Sequence, residues 1–174
     1  MFARFWVVTI VVFLFSCASV VDIPEPKDTH IIENIPFFPQ DTYQCGPASL
    51  AAVLNYWGIN VSPEKIAEEI FSKSARGTLN IDMVIYAQNK GLKAVQYKSS
   101  IDNIRKNISE SYPIIVLVDY GFSFYQANHF MVVVGYNEYG VIVNSGKQRN
   151  KFISNKDFEK IWEKTKYWTL LIKK

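Results

Sequence analysis

Apolar blocks separated by polar, glycine- and proline-containing stretches divide the chain into predicted helices and strands. Serine or asparagine caps and a proline in the first turn mark several helix starts. The predicted helices cover about residues 45–57, 63–71, 81–90 and 100–108, and the predicted strands about 92–97, 114–118, 130–136 and 141–144. A short edge strand is also predicted at residues 35–39. The pattern predicts an α+β domain, with a helical lobe over about residues 43–90 packed against an antiparallel sheet over about residues 92–172.

The N-terminal segment follows a different pattern. Arg4 precedes an apolar run of about 11 residues, which is too short to span a bilayer and has the layout of an export signal. The segment Leu14-Phe15-Ser16-Cys17 resembles the lipobox of bacterial lipoproteins, in which the cysteine is lipidated and becomes the new N-terminus. We therefore expect a lipoprotein signal peptide at residues 1–16, lipidation of Cys17, a polar tether at 17–34 and one domain at 35–174.

This resemblance implies a lipid-anchored protein of the bacterial cell envelope. Ala18 and Ser19, rather than aspartate, follow the lipidated position, which favours the outer membrane if the host has two membranes. An ordinary secretion signal cleaved nearby, or an uncleaved anchor, is the alternative.

Cys45 stands where a loop is predicted to become an apolar helix. Pro47 is tolerated only in the first helical turn, and Gly46 permits a tight turn and close approach of a substrate. The thiol would then lie at the positive end of a buried helix dipole, an environment that lowers a cysteine pKa. The alternative is a small core residue near a helix start.

Composition narrows the possible functions. The chain has 174 residues, 49% of them apolar, and a net charge of +3 without a basic run interleaved with aromatics, so we expect no nucleic acid partner. No cluster of residues has metal-ligand spacing and no phosphate-binding loop occurs, so we expect no metal and no cofactor. Of the two cysteines, Cys45 lacks a disulfide partner if Cys17 carries lipid, which indicates a reactive thiol or an intermolecular bond.

A second candidate group is His129, at the mouth of the predicted strand 130–136. A turn at residues 137–140 leads into the next strand, which ends in Asn144. A hairpin would bring Asn144 near the imidazole, although strand register is not encoded in this pattern. Alternatively, the histidine could be a hydrogen-bonded rim residue and the asparagine a simple strand end.

The segments QDTYQCGPASL, HFMVVVGY and VIVNSG together resemble the papain-like cysteine peptidases. The nearer resemblance is to the bacteriocin-processing (double-glycine leader) peptidases, in a stand-alone bacterial lipoprotein form. It covers about residues 35–172, including the tail, where an aromatic residue, a tryptophan and a closing strand recur. The resemblance implies a two-lobed papain-like fold, with the cysteine opening the central helix and the histidine and amide contributed by the sheet.

The resemblance also implies a role for each residue. Cys45 would be the nucleophile, His129 would pair with the thiolate and protonate the leaving amine, and Asn144 would orient the imidazole. The oxyanion hole would combine the Cys45 N–H with an upstream glutamine. The leader peptidases place that glutamine six residues before the cysteine, whereas Gln40 is five before it and Gln44 directly precedes it. We favour Gln40, because an adjacent residue cannot easily fold back over the sulfur.

The expected function is that of an exported, membrane-anchored cysteine peptidase acting on a peptide or protein. Leader peptidases are usually fused to transporters and act in the cytoplasm, so cleavage of double-glycine leaders is not implied for a chain with an export signal. A peptide-transferring enzyme (transpeptidase or amidase) uses the same chemistry with a different acceptor. A non-catalytic peptide-binding module on the same fold and a structural envelope lipoprotein are the remaining alternatives.

Overall fold

A seven-stranded antiparallel sheet dominates the computed structural model, which describes residues 28–39 and 44–174. The elements in chain order are β1 His30–Ile31, α1 Cys45–Tyr56, α2 Pro63–Ile70, β2 Phe71–Ser72, β3 Gly77–Thr78, α3 Asn80–Asn89, β4 Lys93–Lys98, α4 Ile101–Ser109, β5 Ile114–Asp119, β6 Asn128–Tyr136, β7 Gly140–Ser145, β8 Gln148–Ser154, α5 Asn155–Trp162 and β9 Trp168–Lys173. Six strands follow the order β4-β9-β5-β6-β7-β8, and β1 pairs with the end of β6. Strands β2 and β3 form a separate hairpin.

The central helix α1 is buried along most of its length. Every residue from Gly46 to Leu54 is buried, because the sequence is apolar on all sides and the helix packs against α2, α3, β5 and β6. The indole Nε1 of Trp57 donates to the carbonyl of Ile172 at 2.9 Å and ties the end of the helix to the last strand. This packing fixes the position of the residue that opens α1.

Serine caps begin the surface helices where the sequence predicts them. Ser62 and Ser100 each accept a hydrogen bond from the backbone N–H three residues later, at 3.3 and 3.2 Å. Helix α3 begins one residue earlier than predicted, at Asn80, and follows Leu79 without a side-chain cap. The predicted strands from β4 to β7 are confirmed to within one or two residues at their ends.

The edge strand predicted at residues 35–39 is wrong. Two prolines in that segment lack the N–H that strand pairing needs, and the strand forms instead at β1. Ile32 and Ile35 are buried in the core, and the Ile32 N–H donates to the Val134 carbonyl at 2.8 Å. Strand β1 and the buried Ile32 therefore lie within the segment 17–34 that we expected to be a tether.

The C-terminal part contains elements that the sequence pattern did not delimit. Strand β8 completes a hairpin with β7, and helix α5 buries Phe158 and Trp162. The indole Nε1 of Trp162 donates to the carbonyl of Trp168 at 3.0 Å, at the start of β9. Strand β9 lies between β4 and β5 and is the closing strand that the resemblance implies.

Three sequence expectations fall outside the described residues: the signal peptide at 1–16, the lipidated Cys17, and Gln40. They stay predictions. Within residues 28–39 and 44–174, no helix has the length and apolar character needed to cross a membrane.

Candidate active site

Cys45 is the first residue of α1 and carries a free, half-buried thiol. Gln44 precedes it as the helix N-cap, with φ −101° and ψ 12°, and its side chain caps no backbone N–H. The first N–H groups of α1 are therefore not taken by a side-chain cap. The sequence prediction of a cysteine at the tip of a buried helix is confirmed.

Gly46 is required by packing at this helix start. A Cβ at this position would lie 2.8 Å from the Thr78 Cβ and 2.9 Å from its Oγ1, closer than real contacts allow. The sequence analysis attributed this glycine to a tight turn and substrate approach. In the structure, the absence of a side chain also lets the β2–β3 hairpin pack directly beside the nucleophile candidate.

A cleft of about 860 Å³ brings the two predicted groups together. Cys45 and His129 both line it, and the side chains around them include Thr78, Leu117 and Tyr125. The sulfur of Cys45 also lies against the backbone N–H of Phe130, the residue that follows the histidine. A residue of the central helix and a residue of the sheet therefore line one cleft, while their catalytic roles stay predictions.

The imidazole of His129 is held by a serine. Its Nε2 lies 3.0 Å from the Oγ of Ser145, and the ring of Tyr120 packs at 5.9 Å between centroids. A neutral imidazole has one donor and one acceptor nitrogen. With Nε2 engaged by Ser145, Nδ1 is the nitrogen left for the sulfur of Cys45.

Asn144 occupies a different position from the one expected of it. Its side-chain oxygen accepts a hydrogen bond from the Asn150 N–H at 3.0 Å, across the β7–β8 hairpin. Strand register explains this placement: Val132 pairs with Asn144, and Val133 pairs with Val143. Side chains alternate between faces, so position 145 shares the face of position 129 while Asn144 takes the other. The contact expected between Asn144 and the imidazole is thus made by Ser145.

Comparison with known proteins identifies the family of this chain. A family model described as Peptidase_C39 like family matches residues 32–170. The chain belongs to the Peptidase_C39 like family.

This C39-like chain is similar to a relative of unassigned function and to solved structures with a peptidase fold. It is 33% identical over 100 residues to an uncharacterized protein of Methanothermobacter thermautotrophicus. The aligned region covers 58% of this chain and 63% of that relative's length. It superposes on a candidate C39-like peptidase from Bacillus anthracis with a TM-score of 0.70 and 19% identity, covering 84% of this chain and 98% of the other.

A second similar structure contains a peptide. It is the double glycine motif protease from an AMS/PCAT transporter in complex with the leader peptide, with a TM-score of 0.65, 21% identity, and coverage of 84% of this chain and 99% of the other. Together these findings establish the papain-like C39 fold that the resemblance implied.

Burial keeps both candidate groups of this C39-like site neutral at rest. Desolvation, with a smaller contribution from the positive charge of Lys151, lowers the pKa of His129 to about 4. Desolvation also raises the pKa of the Cys45 thiol, although the backbone N–H groups of Phe130, Gly46 and Cys45 itself act in the opposite direction. The lowered thiol pKa expected from the helix dipole is therefore wrong for the resting structure.

Ser145 and Tyr120 are site residues that the sequence pattern did not indicate. Besides its contact with His129, the Ser145 hydroxyl interacts with the Tyr120 side chain, and this interaction opposes the rise in the Tyr120 pKa that burial causes. The sequence did offer one signal for Ser145: it directly follows Asn144 at the end of a strand. Because neighbouring residues of a strand point to opposite faces of the sheet, either of the two could have faced His129.

The oxyanion-hole alternatives are not separated by these contacts. Gln44 is half-buried, and Gln40 is outside the described residues. The backbone N–H groups of Cys45 and Gly46 at the start of α1, like that of Phe130, lie against the sulfur. Among residues 28–39 and 44–174, no group of three or more histidine, cysteine and carboxylate side chains could hold a metal ion.

Proposed function

We propose that this chain is a cysteine peptidase in which Cys45 is the nucleophile and His129 the general base. The observation that carries the proposal is the shared cleft: the sulfur at the tip of α1 lies beside the backbone of the residue after His129. Membership in the C39-like family supports a peptidase or a related function, and a similar structure binds a leader peptide. A cleft of this size is suited to an extended peptide.

The neutral state of both groups favours general-base activation of the thiol. As a peptide carbonyl approaches, His129 Nδ1 takes the proton from Cys45 while the S–C bond forms, giving a tetrahedral oxyanion. The imidazolium then returns the same proton to the amide nitrogen, the C–N bond breaks and the amine leaves. Water, deprotonated by His129, hydrolyses the resulting thioester and regenerates the thiol.

Ser145 supports the base by fixing the ring. When Nε2–H donates to the Ser145 Oγ, the lone pair remains on Nδ1, the nitrogen that must accept the thiol proton. The resulting assignment gives Ser145 the orienting role that the sequence analysis assigned to Asn144. The oxyanion would be stabilised by the N–H groups of Cys45 and Gly46, with Gln40 as the favoured side-chain donor and Gln44 as its alternative.

Alkylation of Cys45 tests the catalytic pair without requiring a known substrate. Full-length protein is treated with iodoacetamide between pH 5 and 9, and modification of Cys45 is followed by mass spectrometry. His129→Ala should slow alkylation at neutral pH by about tenfold or more, because the proton acceptor is lost. His30→Ala is the matched control, since His30 is an exposed histidine on β1, and it should leave the rate unchanged.

Peptide turnover separates the enzyme from its alternatives. The wild type, Cys45→Ala and His129→Ala are incubated with a mixed peptide library, and products are identified by mass. New C-termini that depend on both residues support a peptidase, whereas products joined to an added amine indicate a peptide-transferring enzyme. Peptide binding without products, together with a rate of alkylation that is indifferent to His129, would indicate a non-catalytic binding module.

We also propose that the protein is exported and anchored in the bacterial cell envelope by lipid on Cys17. The support is the lipobox-like segment Leu14–Cys17 and the polar stretch that follows it. Metabolic labelling with a fatty-acid analogue should mark the wild type and not Cys17→Ser, and the unlabelled variant should leave the membrane fraction. Equal labelling of the two forms would remove this part of the proposal.

A further inference from the structure

The connection between β5 and β6 presents aromatic side chains to solvent. Phe122 and Phe124 are 88% and 98% exposed, and Tyr125 is 71% exposed. We call these three residues the aromatic tip. Such exposure means that the two phenylalanine rings contact almost nothing of their own domain, which disfavours the isolated protein in water.

The aromatic tip stands on a hydrogen-bonded turn. One carboxylate oxygen of Asp119 accepts from the N–H groups of Gly121 and Ala127, both at 2.7 Å. A Cβ on Gly121 would lie 1.9 Å from the Tyr125 carbonyl oxygen, so only glycine fits there. The ammonium group of Lys164 donates to the Gly121 carbonyl at 2.6 Å. These contacts hold the base of the turn while its phenylalanines face outward.

Cationic side chains surround the tip. Because the sheet is antiparallel, the β5–β6 and β7–β8 connections and the segment before β9 meet at one end of the sheet. The described residues of these connections, 119–128, 145–149 and 163–167, contain four exposed cations: Lys147, Arg149, Lys164 and Lys166. The same connections contain two carboxylates: Glu163 is exposed, whereas Asp119 is buried and accepts hydrogen bonds within the turn.

We propose that the aromatic tip and its surrounding cations form a docking surface for an anionic lipid bilayer. Exposed aromatic rings suit the headgroup boundary, and lysine and arginine beside them complement anionic lipid. A peptide partner is the competing possibility. It is disfavoured because Phe122 and Phe124 are not among the residues that line the cleft, although Tyr125 is.

The geometry of an anchored protein permits this contact. Strand β1 pairs with Tyr136 and Gly135, at the opposite end of β6 from the tip, about 26–30 Å away along a strand of nine residues. Residues 18–29 could span at most about 40 Å, so a lipid on Cys17 and the tip can reach the same bilayer. If the proposed function holds, docking would also turn the opening of the cleft toward peptides at the membrane surface.

Tryptophan quenching tests the contact at the tip itself. The full-length protein is reconstituted in vesicles of dibrominated phosphatidylcholine with about 30% phosphatidylglycerol, and the emission of Phe124→Trp is compared with that of Val95→Trp. Val95 is an exposed apolar residue on edge strand β4, so both variants share any N-terminal anchor and differ only in the position of the probe. The unsubstituted chain supplies the background of its native tryptophans.

The expected result is quenching of the tip tryptophan at least about threefold stronger than that of the control, because only the tip enters the headgroup region. Omitting phosphatidylglycerol, or introducing Arg149→Glu, should weaken tip quenching severalfold. Equal quenching at the two positions would overturn the proposal. So would a tip tryptophan that responds to added peptides but not to lipid. The readout needs no catalysis, so it can be repeated in Cys45→Ala and is independent of the peptidase assignment.

Discussion

The contact between the Ser145 hydroxyl and His129 leads to a specific prediction, because strand register rather than residue type brings the two together. Ser145→Ala removes the 3.0 Å contact at Nε2 and leaves a half-buried ring nitrogen without that partner. It also removes the group that selects which nitrogen carries the proton. The substitution takes away one hydroxyl and adds no volume, so the fold should be retained.

The size of the effect follows from the cost of an unsatisfied buried group. Loss of one such partner costs about 1–3 kcal/mol, and about 1.4 kcal/mol corresponds to a factor of ten. If this free energy adds to the barrier for proton transfer from the thiol to Nδ1, the rate of Cys45 alkylation at neutral pH should fall by about 5- to 150-fold. Tyr120→Phe should have a smaller effect, because its hydroxyl acts on the ring only through Ser145.

Asn144→Ala provides the contrast within the same hairpin. It removes the acceptor of the Asn150 N–H and should lower thermal stability while leaving the alkylation rate within about threefold of wild type. Both variants are compared by iodoacetamide kinetics between pH 5 and 9 and by thermal unfolding. A normal rate in Ser145→Ala combined with a large loss in Asn144→Ala would refute the register argument and restore the original assignment.

Three further predictions concern stability around the site. Folded His129 stays neutral down to about pH 4, whereas an unfolded histidine protonates near its ordinary pKa of 6.5, so the unfolded state binds more protons between these values. As the pH falls through this window, the free energy of unfolding should decrease by up to about 3 kcal/mol, which denaturant titration would measure. His129→Gln should remove that loss, and an unchanged pH profile would contradict the burial argument. Gly46→Ala should destabilise by about 1–3 kcal/mol, with partial rescue by Thr78→Gly in a double-mutant cycle; additive effects would exclude the clash. Asp119→Ala should leave two backbone N–H groups unsatisfied and speed hydrogen exchange at Gly121 and Ala127, and protection equal to wild type would contradict the bonds.

Local signals in the sequence predicted most helices, because their causes lie within a few residues. Pro47 restricts where α1 can begin, and Ser62 and Ser100 cap α2 and α4 through contacts that do not depend on how these helices pack. Strand β1 could not be found in this way. It has two residues, and it exists only because the end of β6 offers an unpaired edge distant in sequence.

The site was predictable in its composition but not in its contacts. The order of Cys45 and His129 along the chain, with the family resemblance, was sufficient to expect them in one cleft. The choice between Asn144 and Ser145 was not accessible, because side chains alternate every residue and register depends on pairing across the hairpin. The direction of the Cys45 pKa shift was missed because burial depends on elements such as β3 that pack from elsewhere in the chain.

The candidate site residues lie at one end of the sheet. His129 is the second residue of β6, Ser145 is the last residue of β7, and Cys45 at the start of α1 lines the same cleft as His129. The proposed chemistry is therefore placed at the ends of elements whose middles are buried, so that the core holds these groups without being interrupted by them. The burial that fixes these groups also keeps the thiol and the imidazole neutral, so we expect the charged pair to form only when a substrate is bound. The carbonyl oxygen of that substrate would then become the oxyanion, which the N–H groups at the start of α1 would stabilise. A site built this way should react slowly with small alkylating agents and faster with reagents that place a carbonyl over those N–H groups.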